Sequence, residues 1–394
     1  MHYFQRSSVP FFIGGGFGLG FAVFYPFISP YLASLGFTNS QISFINAFGP
    51  LLLILIAPIL GRISDEIGRK KIIIAAVLIE IISVAALLFS LKSIVFVGLL
   101  IALQFSSAVI LELMVMSAIE DNLKNGKRGL FTGIYQSIRS VGVVAGPLAG
   151  AFVVALYPIN LTFKLAVLIF LIILLLTLFL KENRGANEKP KAADFNFIAE
   201  IKQFLANKNL RGMAILGFFA NFTHRGTTVF LPLFVIQELK APLKFVGIIA
   251  ALGMFFSLFQ FVHGWICDKK GSRKVIISGM VLSGLALLLV YFADSILALG
   301  LVVLLFSLGL SMWNTSAWCF MSNIGEKIKK EGQVVGSYEA ISDAGIFASF
   351  ITSGFVISFI GLRGIFVLYG VLILISVALS FRYLFFNTNL QRLR

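Results

Sequence analysis

The residues of this chain best equipped for chemistry sit where charge is expensive. Glu112 and Arg139 stand inside long apolar stretches, and so do Glu339 and Asp343. An ionisable group in such surroundings is a functional candidate by default, because its burial must be offset by a partner or by a task. Glu112 and Arg139 lie about a dozen ångströms from the same end of their stretches, at about 1.5 Å per helical residue, and are able to pair across neighbouring helices. Two outcomes stay open: Glu112 carries a proton when Arg139 releases it, or the two form a structural ion pair. Glu339 and Asp343 are spaced i, i+4 and share one helix face. Two carboxylates in apolar surroundings titrate as a coupled pair that holds one proton between them, as proton-coupled movement requires. Glu339 lies only a few residues inside its stretch and has hydration or a salt bridge as an alternative, so Asp343 is the better proton candidate. Glu80 reads as a structural partner or a snorkelling side chain.

The residue types needed for covalent or metal chemistry do not cluster. Cys267 and Cys319 are the only cysteines, with no metal-like spacing, so neither a disulfide framework nor a zinc site is expected. The sequence has no glycine-rich phosphate loop and no nucleophile motif, which argues against an enzyme and against ATP-driven pumping. No cofactor and no metal ion is expected.

The elements that carry these residues are built for lipid. Of 394 residues, 59% are hydrophobic and 12% are charged, whereas a soluble domain is nearer half apolar and a quarter charged. The 42 Phe residues suit lipid-facing surfaces and membrane-interface belts. Twelve apolar stretches approach the roughly 20 residues a bilayer core requires: 10–32, 43–61, 71–90, 95–118, 130–156, 162–181, 211–235, 245–266, 274–292, 295–321, 334–358 and 363–386. An even number places both ends on one side. Loops on the opposite side hold Lys92, Lys164, Lys240, Lys244 and Arg363, while Arg139 and Arg225 lie within spans. The rest of the 32 Lys and Arg residues, including Arg69, Lys70, Lys71, Lys124, Lys127, Arg128, Lys269, Lys270, Arg273 and Lys274, fall on the side of the termini. Positive residues stay cytoplasmic, so both termini are expected inside, in a multi-pass protein of the cytoplasmic (inner) membrane. The net charge of +15 is therefore a topology signal; the basic residues form no continuous face for nucleic acid. The first stretch is too long for a cleaved signal and is expected to be retained.

The chain also repeats itself. Gly61, Asp65 and Gly68 recur as Gly264, Asp268 and Gly271, and Gly133, Tyr135, Ile138 and Gly142 recur as Gly336, Tyr338, Ile341 and Gly345, always 203 positions on (264 − 61, 345 − 142). One offset across separate segments implies two parallel six-helix repeats related by an axis along the membrane normal. The expected domains are residues 1–181, a cytoplasmic linker 182–210, and residues 211–394. Within the linker Phe195, Ile198, Ile201 and Phe204 or Leu205 have helical spacing, which fits an amphipathic helix on the lipid surface, with a floppy linker as the alternative.

Over essentially its whole length the sequence resembles the major facilitator superfamily. That family's loop signature, Gly-x3-Asp-x2-Gly-Arg-Arg/Lys, is matched by Gly61, Asp65, Gly68, Arg69 and Lys70. The later copy keeps Gly264, Asp268, Gly271 and Arg273 but has Ser272 in place of the first Arg. The resemblance implies that Asp65 meets the start of span 11, that Arg69 pairs with Glu120 or Asp121 at the end of span 4, and that the cluster latches the cytoplasmic gate. The alternative is a solvated basic loop that only sets topology.

Span 5 carries Gly133, Gly142, Gly146, Pro147 and Gly150, a pattern similar to the antiporter motif of the family's drug/proton exchangers. The glycines at i, i+4 and i+8 make a stripe for close helix packing, and Pro147 removes a backbone donor. Two departures stand beside the match. Span 4 reads Leu103-Gln104-Phe105 with no arginine, and span 1 lacks the acidic residue that some exchangers use.

In the fold so implied, spans 1, 4, 7 and 10 line a central cavity. The substrate-binding candidates are then Tyr25, Gln104, Asn221, His224, Arg225, Trp313, Asn314 and Trp318. Arg225 and His224 suit an anionic or polar ligand, and the tryptophans suit a flat or cationic one. The function expected is proton-coupled efflux of small, mostly hydrophobic compounds by alternating access, from a monomer in a lipid bilayer. The alternatives are uptake of a sugar or organic acid and, from another class, a membrane enzyme or receptor.

Overall fold

Helices begin and end where the sequence supplies caps and breaks. In the computed structural model, residues 9–89, 92–121, 128–180, 197–327 and 331–385 are described, with the backbone alone at 55, 57–67, 120, 121, 128–133, 197, 198, 268, 327, 331, 332 and 385. The described residues are helical, with short turns between. The first helix, α1 (Val9–Phe24), passes through a 3-10 turn at Tyr25–Phe27 into α2 (Ile28–Ser34). A capping box opens α3 (Asn39–Ile67): Gln41 donates its amide N–H to Thr38 Oγ1 at 3.2 Å, and Thr38 donates its own to Gln41 Oε1 at 2.9 Å. Then come α4 (Arg69–Leu87), α5 (Ile94–Asp121), α6 (Arg128–Leu156) and α7 (Asn160–Leu178).

A short helix, α8 (Phe197–Ala206), occupies part of the stretch between the halves. It packs against two later helices, and Phe204 is buried. Asn207 then caps α9 (Lys208–Leu233), its Oδ1 accepting from Asn209 N at 3.0 Å. The next stretch is interrupted: α10 (Lys244–Met254) and α11 (Gln260–Lys270) are separated by a 3-10 segment, Phe255–Phe259. The series closes with α12 (Ser272–Leu289), α13 (Ile296–Lys327) and α14 (Glu331–Phe385).

At 55 residues α14 is far longer than one crossing needs. It turns at Gly361, whose φ of 67° and ψ of −177° are non-helical. A glycine reaches this conformation without a Cβ penalty. Arg363 secures the turn by donating to Tyr291 O at 2.5 Å and to Asp294 Oδ1 at 2.8 Å. Eight helices among the described residues are long and apolar enough to cross a membrane, counting Gln333–Leu384 once. Others carry more charge, as α4 does with Arg69, Lys70, Lys71 and Glu80.

Two units result, Met1–Pro190 with Val235–Ala251 and Lys191–Phe234 with Leu252–Arg394. In the first, α6 and α7 pack on α1, and α5 packs on α3 and α4. In the second, α14 packs on α9, and α12 packs on α13 and α14. Aromatic rings fill both cores. Phe24, Phe163 and Phe170 are fully buried in the first, as are Phe230, Phe366 and Tyr369 in the second.

Candidate functional site

Two glycines turn the chain at matching points of the repeat. Gly68, between α3 and α4, has φ 93° and ψ 145°; Gly271, between α11 and α12, has φ 84° and ψ 135°. L side chains rarely adopt such values, so glycine here is a geometric requirement of the signature. Beside the first, Lys70 Nζ donates to Leu178 O at 2.8 Å, placing a cation on the C-terminal carbonyls of α7. Arg69 is half-buried. Beside the second, Arg273 donates to Asn209 Oδ1 at 3.3 Å and lies over the Phe320 ring, 5.7 Å from its centroid. Gly264 has ordinary clearance from Thr315. The side-chain positions of Gly61, Asp65, Glu120, Asp121, Gly133 and Asp268 lie outside the described residues, and with them the expected pairings of Asp65 and Arg69.

The glycine stripe of α6 forms a seam with α1. A Cβ on Gly142 would stand 2.5 Å from Gly15 O and 2.8 Å from Leu19 N; one on Gly146 would stand 2.6 Å from Ala22 Cβ; one on Gly150, 2.5 Å from Phe27 Cε2. Glycines of α1 answer from the other side, where a Cβ on Gly18 would meet Arg139 O at 2.8 Å. Pro147 lies inside α6, and its carbonyl approaches Gly247 of α10. The second unit repeats the device: a Cβ on Gly345 of α14 would meet the Phe218 carbonyl carbon of α9 at 3.0 Å. In α14, Ser349 and Ser353 continue the stripe and are buried.

On the same face of α6, Arg139 Nη2 bonds Glu112 Oε2 of α5 at 2.7 Å, with the two side chains 28% and 34% exposed. The pairing that helical spacing allowed is thus present. Tyr135, one turn earlier, is buried beside these two charges, and its hydroxyl has no partner among the described residues. Tyr25 stacks on Phe21 with centroids 4.6 Å apart and planes at 23°. Gln104 is buried between α5 and α4, where it neighbours Glu80.

In the second unit Asn221, His224 and Arg225 of α9 are half-buried. Arg225 is the charged group that acts on Asp343 of α14. Sequence spacing directed attention to Glu339 along the same helix, whereas the cross-helix cation becomes visible only when α9 and α14 pack. Glu339 is half-buried, one residue after Tyr338, whose ring lies against Gly217. Trp313 is buried, and its backbone nitrogen lies close to Gly279 of α12. Asn314 is half-buried and Trp318 exposed.

One group of interactions had no sequence signal. At the 3-10 segment, Phe256 N–H is received by Ser307 Oγ at 3.3 Å, Ser311 Oγ donates to Phe256 O at 2.9 Å, and His263 Nδ1 lies 2.9 Å from Ser311 Oγ. No proline marks this break. The serines of α13 satisfy backbone groups that the helix has released.

Two halves with one glycine-hinged turn, one glycine-lined seam and charges inside the helices have a family counterpart. The model of the Major Facilitator Superfamily matches residues 11–318 and, in a second match, 213–391. The chain belongs to that superfamily. Among similar proteins, this superfamily member is 24% identical over 383 residues to a multi-drug resistance efflux pump PmrA homolog of Lactococcus lactis subsp. lactis, covering 94% of this chain and 92% of that one. It is 24% identical over 298 residues to a class C tetracycline resistance protein of Escherichia coli, covering 74% of each. The crystal structure of the nucleoside transporter NupG matches with a TM-score of 0.76 at 14% identity, over 98% of this chain and 99% of that one, a likeness of fold alone. A superfamily member of this kind is a membrane transporter that moves a small-molecule substrate.

Proposed function

We propose that this transporter exports small, mostly hydrophobic compounds in exchange for protons, by alternating access of its two halves. The observation that carries the direction is the similarity, along nearly the whole chain, to proteins named for drug efflux. The Gly142–Gly146–Gly150 seam supports it, because it fits the antiporter pattern of the resemblance and holds α6 hard against α1. Protons would be handled by carboxylates that have a cation to trade. In the first half that is Glu112 with Arg139, and in the second it is Asp343 with Arg225. A proton arriving on either acid would free its arginine, and a freed arginine attracts the next anion or polar group. Substrate would meet Tyr25, Asn221, His224, Asn314 and Trp318, which retain exposed surface.

The remaining assignments belong to the same proposal. Twelve crossings put both termini in the cytoplasm. Residues 1–181 and 211–394 are the two rocking bundles of a monomer in the lipid bilayer. The Asp65 and Arg69 signature latches the cytoplasmic gate. The test is reconstitution in sealed liposomes with an imposed pH gradient, following tetracycline by solute counting and lumenal pH by a trapped dye. Tetracycline accumulation that grows with the gradient and shifts lumenal pH is the expected result. Movement indifferent to the gradient would remove the proton from the mechanism, and no movement of any lipophilic drug would remove efflux.

A further inference from the structure

The first unit also holds a fully buried carboxylic acid that the transport reading does not use. Glu80 of α4 is 0% exposed; its neighbours Gln104 and Ser107 and, one turn on, Ser83 are buried too. Ser107 Oγ donates to Glu80 Oε1 at 3.1 Å. The other carboxyl oxygen, Oε2, has no hydrogen-bond partner among the described residues, nor has Gln104 Nε2. The polar groups nearest the carboxyl are Ser107, which bonds it, and Gln104, which lies near without a bond of hydrogen-bonding geometry; both are neutral. The charges on neighbouring elements are engaged or remote. On α5, Glu112 is bonded to Arg139. On α7, which also packs on α4, Lys164 is exposed. On α4 itself, Arg69, Lys70 and Lys71 belong to the first turn, nine or more residues earlier. The described side chains of α3 carry no charge. An ionised carboxylate so placed would leave a full charge in a buried seam, and one hydroxyl donor does not compensate that loss of hydration.

We propose that Glu80 is a proton-binding site: a neutral carboxylic acid in the α4–α5 seam that keeps its proton through the transport cycle and holds the two helices together. The site is separate from the proposed coupling acids and does not rest on them. Its signature follows from linkage. Where the folded chain holds a proton that the unfolded chain has released, stability falls as pH rises, by about tenfold in the folded-to-unfolded ratio per pH unit.

The test combines infrared spectroscopy of the protein in lipid nanodiscs with thermal unfolding across neutral pH, comparing the native chain with Glu80→Gln. The native-minus-variant difference spectrum should show the carbonyl stretch of a neutral carboxylic acid that Glu80→Gln removes. The variant should lose about one proton's worth of the pH slope and retain pH-driven flux in liposomes. Ser107→Ala, which removes the bonded hydroxyl, should shift the band without abolishing it. The proposal is overturned by a difference spectrum without that stretch, by an unchanged slope, or by a folded Glu80→Gln protein without proton-driven flux. Should Glu80→Gln fail to fold, the Ser107→Ala spectrum decides, and a band in its native position refutes the assignment.

Discussion

Replacing Gly142 by alanine inserts one methyl carbon between α6 and α1, and the structure sets the cost. That carbon would lie 2.5 Å from Gly15 O and 2.8 Å from Leu19 N, both backbone atoms that no rotamer change can move. Ordinary contact begins at 3.4 Å, so the helices must part locally by about 0.9 Å (3.4 − 2.5). Forcing extra volume into a packed seam costs about 1–3 kcal/mol. A gap of that size also forfeits about a quarter to a half of the dispersion well for each contact it opens. Alanine's helix propensity returns roughly 0.5–1 kcal/mol, leaving a net loss of about 1–2 kcal/mol. Thermal unfolding of the purified protein measures it. Gly336→Ala is the control, since a Cβ there meets nothing within 4 Å, so only the propensity gain remains. Gly345→Ala, facing Phe218, should behave like Gly142→Ala. If Gly142→Ala melts with Gly336→Ala, the seam is not in close contact and the antiporter-motif argument loses its physical basis.

Three further outcomes are expected. Arg139→Gln strips Glu112 of its 2.7 Å partner and should cost about 1–3 kcal/mol, toward the low end because both groups are partly solvated; adding Glu112→Gln should recover part of it, and strictly additive losses in the double-mutant cycle would show that the pair is not coupled. Asp343→Asn removes the carboxyl that Arg225 acts on and should abolish the substrate-dependent change of lumenal pH; a lumen that responds like the native one means this acid does not carry the proton. Gly271→Ala must adopt a φ of 84° and should destabilise by about 1–2 kcal/mol, whereas Ser272→Ala next to it should not; equal melting temperatures would show that the turn relaxes freely.

Much of this was legible one residue at a time. Glu112 and Arg139 announced themselves because charge inside an apolar run has few outcomes, and their pairing needed only helical geometry. Gly68 and Gly271 were found by the shared offset and proved to share a backbone conformation. Other positions were not legible. Gln104 lies in a span that the resemblance assigns to a cavity, yet it is buried beside Glu80 of α4. Family-level placement names the helix but not the azimuth of each side chain, and azimuth is what separates a lining residue from a packing one.

Composition, span length and the 203-residue offset by themselves determined that this is a duplicated helical membrane protein, because a bilayer leaves the backbone few ways to satisfy its hydrogen bonds. Which charges answer each other was a different matter. Arg225 acts on Asp343 across more than a hundred residues, Glu80 is enclosed with two neutral neighbours, and the break at Phe255–Phe259 is held by serines of another helix. Those relations come from rotation and packing between helices, which a one-dimensional pattern does not encode, and only the tertiary structure decided them.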